Sequence, residues 1–250
     1  MSAAPLPLSA LLQRADLWRG DALGCAEQAG LASGFASLDA LLPGGGWPRG
    51  ALTELLLPQA GLGAGLGELS LLRPALSALD ADAGWVLLVS PPWVPHAPAW
   101  QGLGPGLSRL IVVEAARDDA AWACEQLLAS GAVAALLAWL PESDARALRR
   151  LQLAMAGQQA LAFVFRPDRF VGSASPAPLR ISLTAEATGL ALNIVKRRGP
   201  PLTAPLILPV ERPISWTRLA ARQTPSPLQT IAQGVATGVR LAGMTNGARV

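Results

Sequence analysis

The sequence predicts an α/β protein: a mainly parallel sheet covered by helices on both faces, with an antiparallel edge. Three observations carry this. Five short runs are almost wholly apolar, at residues 51–57 (ALTELLL), 85–90 (WVLLVS), 110–114 (LIVVE), 133–140 (VAALLAWL) and 161–165 (LAFVF). A strand apolar on both sides must be covered on both, which is the habit of a parallel sheet lying between helix layers. Helical segments separate these runs, so each strand re-enters the sheet through a crossover, right-handed by default. After Phe165 the alternation stops. Residues 179–184 and 190–196 then flank a turn at Thr188-Gly189, with 202–208 as a third short run. That pattern adds antiparallel strands to an edge.

Taken in order, residues 1–30 form an N-terminal arm. Leu8, Leu11, Leu12, Leu17 and Trp18 give it a short helical pattern. Residues 37–42 are a short helix, stopped by Pro43-Gly44-Gly45-Gly46. The strand at 51–57 leads into a glycine-rich loop over 58–67, then a helix through about Leu79. Residues 118–130 are a helix with Trp122, Leu127 and Leu128 as apolar positions. Residues 143–158 are a helix with arginines on one side, and 166–178 a polar loop. The core spans 31–210. Residues 211–250 lack strong periodicity and are expected to form a partly disordered tail. No internal repeat is visible.

Composition limits the function classes. The 250 residues suffice for one α/β domain with extra segments, or two small domains. Half are hydrophobic and only 15% charged, so the chain has a core to bury and is not a solvating, disordered type. A net charge of +3 is too mild to demand nucleic acid. Lys196 is the only lysine, and the arginine surplus reads as compositional bias. Cys25 and Cys124 have no metal-ligand spacing, and His96 is the only histidine, in a proline-rich loop without a neighbouring carboxylate. A zinc site or a serine–histidine triad is therefore not expected. The N-terminus lacks a secretory pattern, and no apolar run reaches the ~18–20 residues that span a bilayer. A soluble, cytoplasmic protein without membrane contact is expected.

A strand, a glycine-rich loop and a helix in succession make the setting for a phosphate-binding loop, whose backbone N–H groups and helix terminus face the phosphates. The chemistry also needs a lysine for the β- and γ-phosphates and a hydroxyl residue for magnesium. Here Gly61, Gly63, Gly65 and Gly67 are present, but no lysine, serine or threonine is. The next charged residue is Glu68, an acid that would repel phosphate.

The order of segments resembles RecA over roughly residues 30–210. The resemblance is carried by 34–39 and 44–54, which look like the approach to the nucleotide loop down to Glu54. Ser130-Gly131-Ala132-Val133 and the basic turn Lys196-Arg197-Arg198-Gly199-Pro200 also carry it. On that resemblance the magnesium aspartate would fall at Trp139 and the water-activating glutamate within Pro91-Pro92-Trp93. The γ-phosphate-sensing glutamine would fall near Arg166-Pro167. Charge neutralisation, metal holding and water orientation are all missing together, so no catalytic residue and no cofactor is expected.

The chain is similar to the ImuA family, sometimes named SulA-like. The similarity is closest at Ala15-Asp16-Leu17-Trp18-Arg19-Gly20 and at residues 41–50, LLPGGGWPRG. It implies a non-catalytic accessory protein of SOS-induced, error-prone translesion synthesis. The implied partners are an ImuB-like protein and a DnaE-type polymerase, with RecA as a further contact. Two other classes stand beside this: a SulA-like regulator of cell division or of RecA filaments, and a weak RecA-type ATPase.

Each candidate contact has a plain structural reading. Residues 43–50, with Trp47 and Arg49, are either a docking loop or a turn that buries Trp47 and sets the next strand. Arg146, Arg149, Arg150, Arg166 and Arg169 are either a basic surface for DNA or an acidic partner, or a solvated helix face. Lys196, Arg197 and Arg198 are either an interface or a charged hairpin turn. Trp85, Trp122 and Trp139 lie in core-like patterns, whereas Trp93, Trp100 and Trp216 suit an interface.

Overall fold

A computed structural model describes residues 29–58, 66–80, 82–101, 106–199, 202 and 204–210. Residues 1–28 of the N-terminal arm, with Cys25, and the C-terminal tail, with Trp216, lie outside the described residues.

The five apolar runs are the first five strands: β1 Ala51–Leu57, β2 Trp85–Val89, β3 Leu110–Val113, β4 Val133–Trp139 and β5 Leu161–Pro167. Three more follow, β6 Leu179–Glu186, β7 Gly189–Lys196 and β8 Leu206–Leu208. They form one eight-stranded sheet in the order β3-β2-β4-β5-β1-β6-β7-β8. The pairs from β3 across to β6 are parallel, and β6–β7 and β7–β8 are antiparallel. The sheet is therefore mainly parallel with an antiparallel edge.

The helices are α1 Ala36–Asp39, α2 Glu68–Ser77, α3 Ala97–Trp100, α4 Ala120–Ala129 and α5 Ala145–Ala154. Two hydrophobic clusters show which face each one covers. Leu71, Leu72, Ala75 and Leu76 of α2 and Trp100 of α3 pack with Leu55, Leu57, Leu88, Leu137 and Phe163. Cys124 and Leu128 of α4 and Leu148 and Leu151 of α5 pack with Leu52, Leu87, Val89, Leu136 and Val164 on the other side. Alternate residues of one strand enter opposite clusters, as the two-residue period requires. No helix among the described residues is long and apolar enough to cross a membrane.

Local chemistry sets the boundaries. Asp144 caps α5 by accepting from the Ala147 N–H at 2.7 Å, so that helix starts at Ala145 and not at the expected Ser143. Gly34, at φ +87°, lies under α2; a Cβ there would come within 2.3 Å of the Pro74 Cβ. Residues 43–47 close back on the chain: Trp47 and Leu31 exchange backbone hydrogen bonds at 2.7 and 2.9 Å. Trp47 is fully buried, edge-on to Phe163 at 5.2 Å. Trp47 therefore lies inside a turn and not on the surface.

The polar loop expected from Arg166 begins two residues later, because β5 runs on through Pro167 in register with Leu57. Three tryptophans also differ from expectation. Trp122 and Trp85 are 58% and 37% exposed, on the outer side of α4 and at the start of β2. Trp100, expected at an interface, is buried against the α2 side of the sheet. At the far end of the sheet β3 is an edge strand, with Ile111 and Val112 both exposed.

Candidate functional site

Strands β1 to β6 are parallel, so their carboxyl ends lie along one edge of the sheet. The chain leaves β2 for α3 on one face, and leaves neighbouring β4 for α5 on the other. Two adjacent strands that send their connections to opposite faces open a crevice between them, the usual ligand position in open α/β sheets. A cleft of about 340 Å³ lies there, lined by Ser90, Pro92, Arg117, Trp139, Glu142 and Ser143 among others. Ser90 has φ +49°, uncommon for a residue other than glycine. Its N–H donates to the Val113 carbonyl at 2.8 Å, which ties the ends of β2 and β3 together.

The most polar feature of the edge is buried. Glu54, in the middle of the apolar run of β1, is fully buried and accepts from two guanidinium groups. Arg166 donates to Oε1 through Nη1, and Arg180 donates to Oε2 through Nε at 2.6 Å. Burying an ion costs several kcal/mol unless partners are close and its remaining hydrogen-bonding capacity is used. Arg180 uses its capacity on the 166–178 loop, donating to the carbonyls of Phe170, Val171 and Ser173 at 2.7, 3.2 and 3.0 Å. Arg166 donates to the Ser143 carbonyl at 2.5 Å and lies 3.9 Å from the Phe170 ring centroid. One carboxylate thus anchors the loops that follow both β4 and β5. Arg169 adds a surface tie, pairing with Glu142 at 3.0 Å.

This arrangement removes Arg166 from the expected basic surface. It is 2% exposed, and it is buried because β5 carries it inward to Glu54. Arg169 is half-exposed but engaged with Glu142. Arg146 and Arg149 are exposed on α5, while Arg150 pairs with Glu125 at 3.1 Å. Arg49 is half-buried and donates to the Gln159 carbonyl at 3.1 Å. In the basic turn, Lys196 donates to the Ser175 carbonyl at 2.8 Å, Arg197 to the Leu41 carbonyl, and Arg198 is exposed. The cluster is dispersed: two of its three cations hold neighbouring loops.

Gly61, Gly63 and Gly65 lie outside the described residues. Gly67, at φ +105°, is the N-cap of α2, and Glu68 opens the helix. Glu68 is 4% exposed. Burial pushes its carboxyl above the usual carboxylate range, against backbone hydrogen bonds at Glu68, Gly67 and Leu66 that pull the other way. Trp139 is buried and stacked on Phe165 at 4.6 Å. Burial pushes the Cys124 thiol up to about 12, so it stays protonated and inert. No group of three or more histidine, cysteine or acidic residues that could hold a metal occurs among the described residues.

Sequence reasoning missed the role of Arg180 and the pairing of Glu54. The signal was a charged residue in the buried portion of each of two strands, Glu54 and Arg180, since a buried charge demands a partner of opposite sign.

Sheet order and carboxyl-edge crevice together define an α/β protein with a mixed, mainly parallel sheet. Among solved structures the chain is similar to SulA from Pseudomonas aeruginosa, at 22% identity over 48% of this chain and 99% of that one, with a TM-score of 0.39. No family model matches the chain, and no curated protein does.

Proposed function

We propose that this chain is a non-catalytic accessory protein that works by binding other proteins of error-prone lesion-bypass synthesis: an ImuB-like protein, a DnaE-type polymerase and RecA. One observation carries the reading. The resemblance to RecA-type ATPases places the metal-holding and γ-phosphate-sensing positions at Trp139 and Arg166. Here these side chains are a buried indole stacked on Phe165 and a buried partner of Glu54. An indole offers no oxygen ligand for magnesium, and a guanidinium paired with a carboxylate is not the amide that such a reaction uses to orient water, which supports a non-catalytic reading. The carboxyl edge keeps a crevice and an exposed Trp93, features suited to recognition.

The test has two arms. Purified protein titrated with magnesium–ATP is expected to show neither saturable binding nor turnover; saturable binding with hydrolysis overturns the reading in favour of a weak ATPase. In pull-downs the protein is expected to retain the ImuB-like protein and the polymerase. Retention of RecA or the division GTPase alone would favour a SulA-like regulator instead.

A further inference from the structure

The outer side of the α4–α5 layer is a surface that the proposed function does not use. The two helices lie on the same face of the sheet. Each returns the chain from the carboxyl end of one parallel strand to the start of the next, so they run in the same direction. On α5 the buried positions are Leu148 and Leu151, and Arg146, Arg149, Arg150 and Leu153 form one exposed stripe at helical spacing. On α4 Cys124 and Leu128 are buried, Trp122 and Gln126 are exposed, and Glu125 is partly exposed. The Glu125–Arg150 pair, at 3.1 Å, ties the two stripes together. Trp122 lies one turn before this bridge and is 58% exposed; Leu153 lies one turn after it and is 64% exposed. At 1.5 Å of rise per residue they stand about 9 Å apart along the helix axes. Arg146 and Arg149 have no ion pair or hydrogen bond among the described residues. The two stripes thus set three cations against the single carboxylate of Glu125, while the acids that precede the helices, Asp118, Asp119 and Asp144, sit at their N-terminal ends.

We propose that the α4–α5 face is a second docking surface, and that its occupant is an acidic amphipathic segment of a protein partner. Charge complementarity selects the acid: carboxylates meet the two unpaired guanidinium groups of Arg146 and Arg149. The apolar pair selects the amphipathic pattern. Side chains two turns apart on a bound helix span about the separation of Trp122 and Leu153, and take both out of water. A nucleic acid fits this face less well, because Glu125 opposes its phosphates and a phosphate backbone leaves both apolar side chains in solvent. The inference goes beyond the proposed function, which puts recognition at the carboxyl edge. Two separate faces let one chain hold two proteins at once.

The experiment uses the full chain as wild type, as Trp122→Ala, and as the double variant Arg146→Glu with Arg149→Glu. The probes are a synthetic amphipathic helix of glutamate and leucine, its lysine–leucine counterpart and a short DNA duplex, each followed by calorimetry. Wild type is expected to bind the glutamate–leucine peptide saturably, with affinity falling as salt rises, and to show no saturable binding of the other two. The double charge reversal and Trp122→Ala are each expected to weaken the acidic peptide about tenfold or more. Circular dichroism checks that each variant is folded, and Leu153→Ala gives the same apolar readout should Trp122→Ala fail to fold. Absence of saturable binding, equal affinity for the lysine–leucine peptide, or an affinity that the variants leave unmoved overturns the inference. Capture of the duplex through Arg146 and Arg149 overturns it too, in favour of a nucleic-acid surface. None of these outcomes touches the carboxyl edge or magnesium–ATP, so failure here leaves the proposed function standing. Turnover of magnesium–ATP overturns that function and leaves this face unaffected.

Discussion

Glu54 holds two arginines inside an apolar sheet, and the energetics of that cluster are asymmetric. Cutting one partner away leaves a charge stranded without solvent, whereas replacing all the charges removes the problem along with the bonds. Arg180→Met is expected to lower unfolding free energy by about 3–5 kcal/mol in urea titrations. The triple change Glu54→Leu, Arg166→Met and Arg180→Met is expected to cost less than Arg180→Met alone. A triple variant less stable than the single would show that the cluster contributes more than its desolvation penalty. Glu68 gives a pH signature of definite sign. Its folded carboxyl binds a proton more tightly than the unfolded one. Its contribution is therefore fully present below the unfolded pKa and is lost as pH rises through the raised folded value. As pH rises from the ordinary carboxylate range, the wild type is expected to lose more melting temperature than Glu68→Gln; equal losses would disprove the upward shift.

The strands were legible because their chemistry is local: VAALLAW is apolar on both sides and ALTELLL largely so, and the sheet is covered on both. The ends of elements were less so, because the residues that set them act through space. Arg166 looks like loop material until Glu54 is placed opposite it on β1. Asp144 sets the start of α5 at Ala145 by capping it, inside the expected span that opens at Ser143. Of the candidate site, the buried Glu54, Arg166 and Arg180 cluster was not legible, because its three members lie on three different strands and meet only across the sheet. Trp122 is exposed because helical spacing alone does not tell which side faces the sheet, and Trp100 is buried although its proline-rich neighbourhood suggested an interface. One contact between elements is open to a sharp test. Gly34→Ala drives a methyl into Pro74 of α2 and forces a left-handed backbone on alanine. A loss of about 1–3 kcal/mol is expected from strain and overpacking. In the double variant Gly34→Ala with Pro74→Ala part of that loss should be recovered, because the two share one contact. Strict additivity in the cycle would show that backbone strain alone is responsible.

At the scale of the molecule, one edge of the sheet gathers the crevice, the anchored loops and the exposed Trp93, while the opposite edge carries the turn that buries Trp47. If the carboxyl edge is the recognition surface, Trp93→Ala is expected to weaken capture of the ImuB-like protein by roughly tenfold or more, as central aromatic contacts do. Retained capture by a Trp93→Ala protein would move the interface elsewhere, with the exposed arginines of α5 as the next surface to reverse in charge. The sheet order carries one further consequence, for how the chain is born. β1 lies between β5 and β6, and its Glu54 meets Arg166 only across 112 residues of sequence. At about 5–20 residues per second of synthesis, the apolar centre of the sheet waits roughly six to twenty seconds for either neighbour to leave the ribosome. A nascent chain of this kind has a long window for chaperone capture, and truncation before β5 should yield insoluble product while truncation after β7 should not.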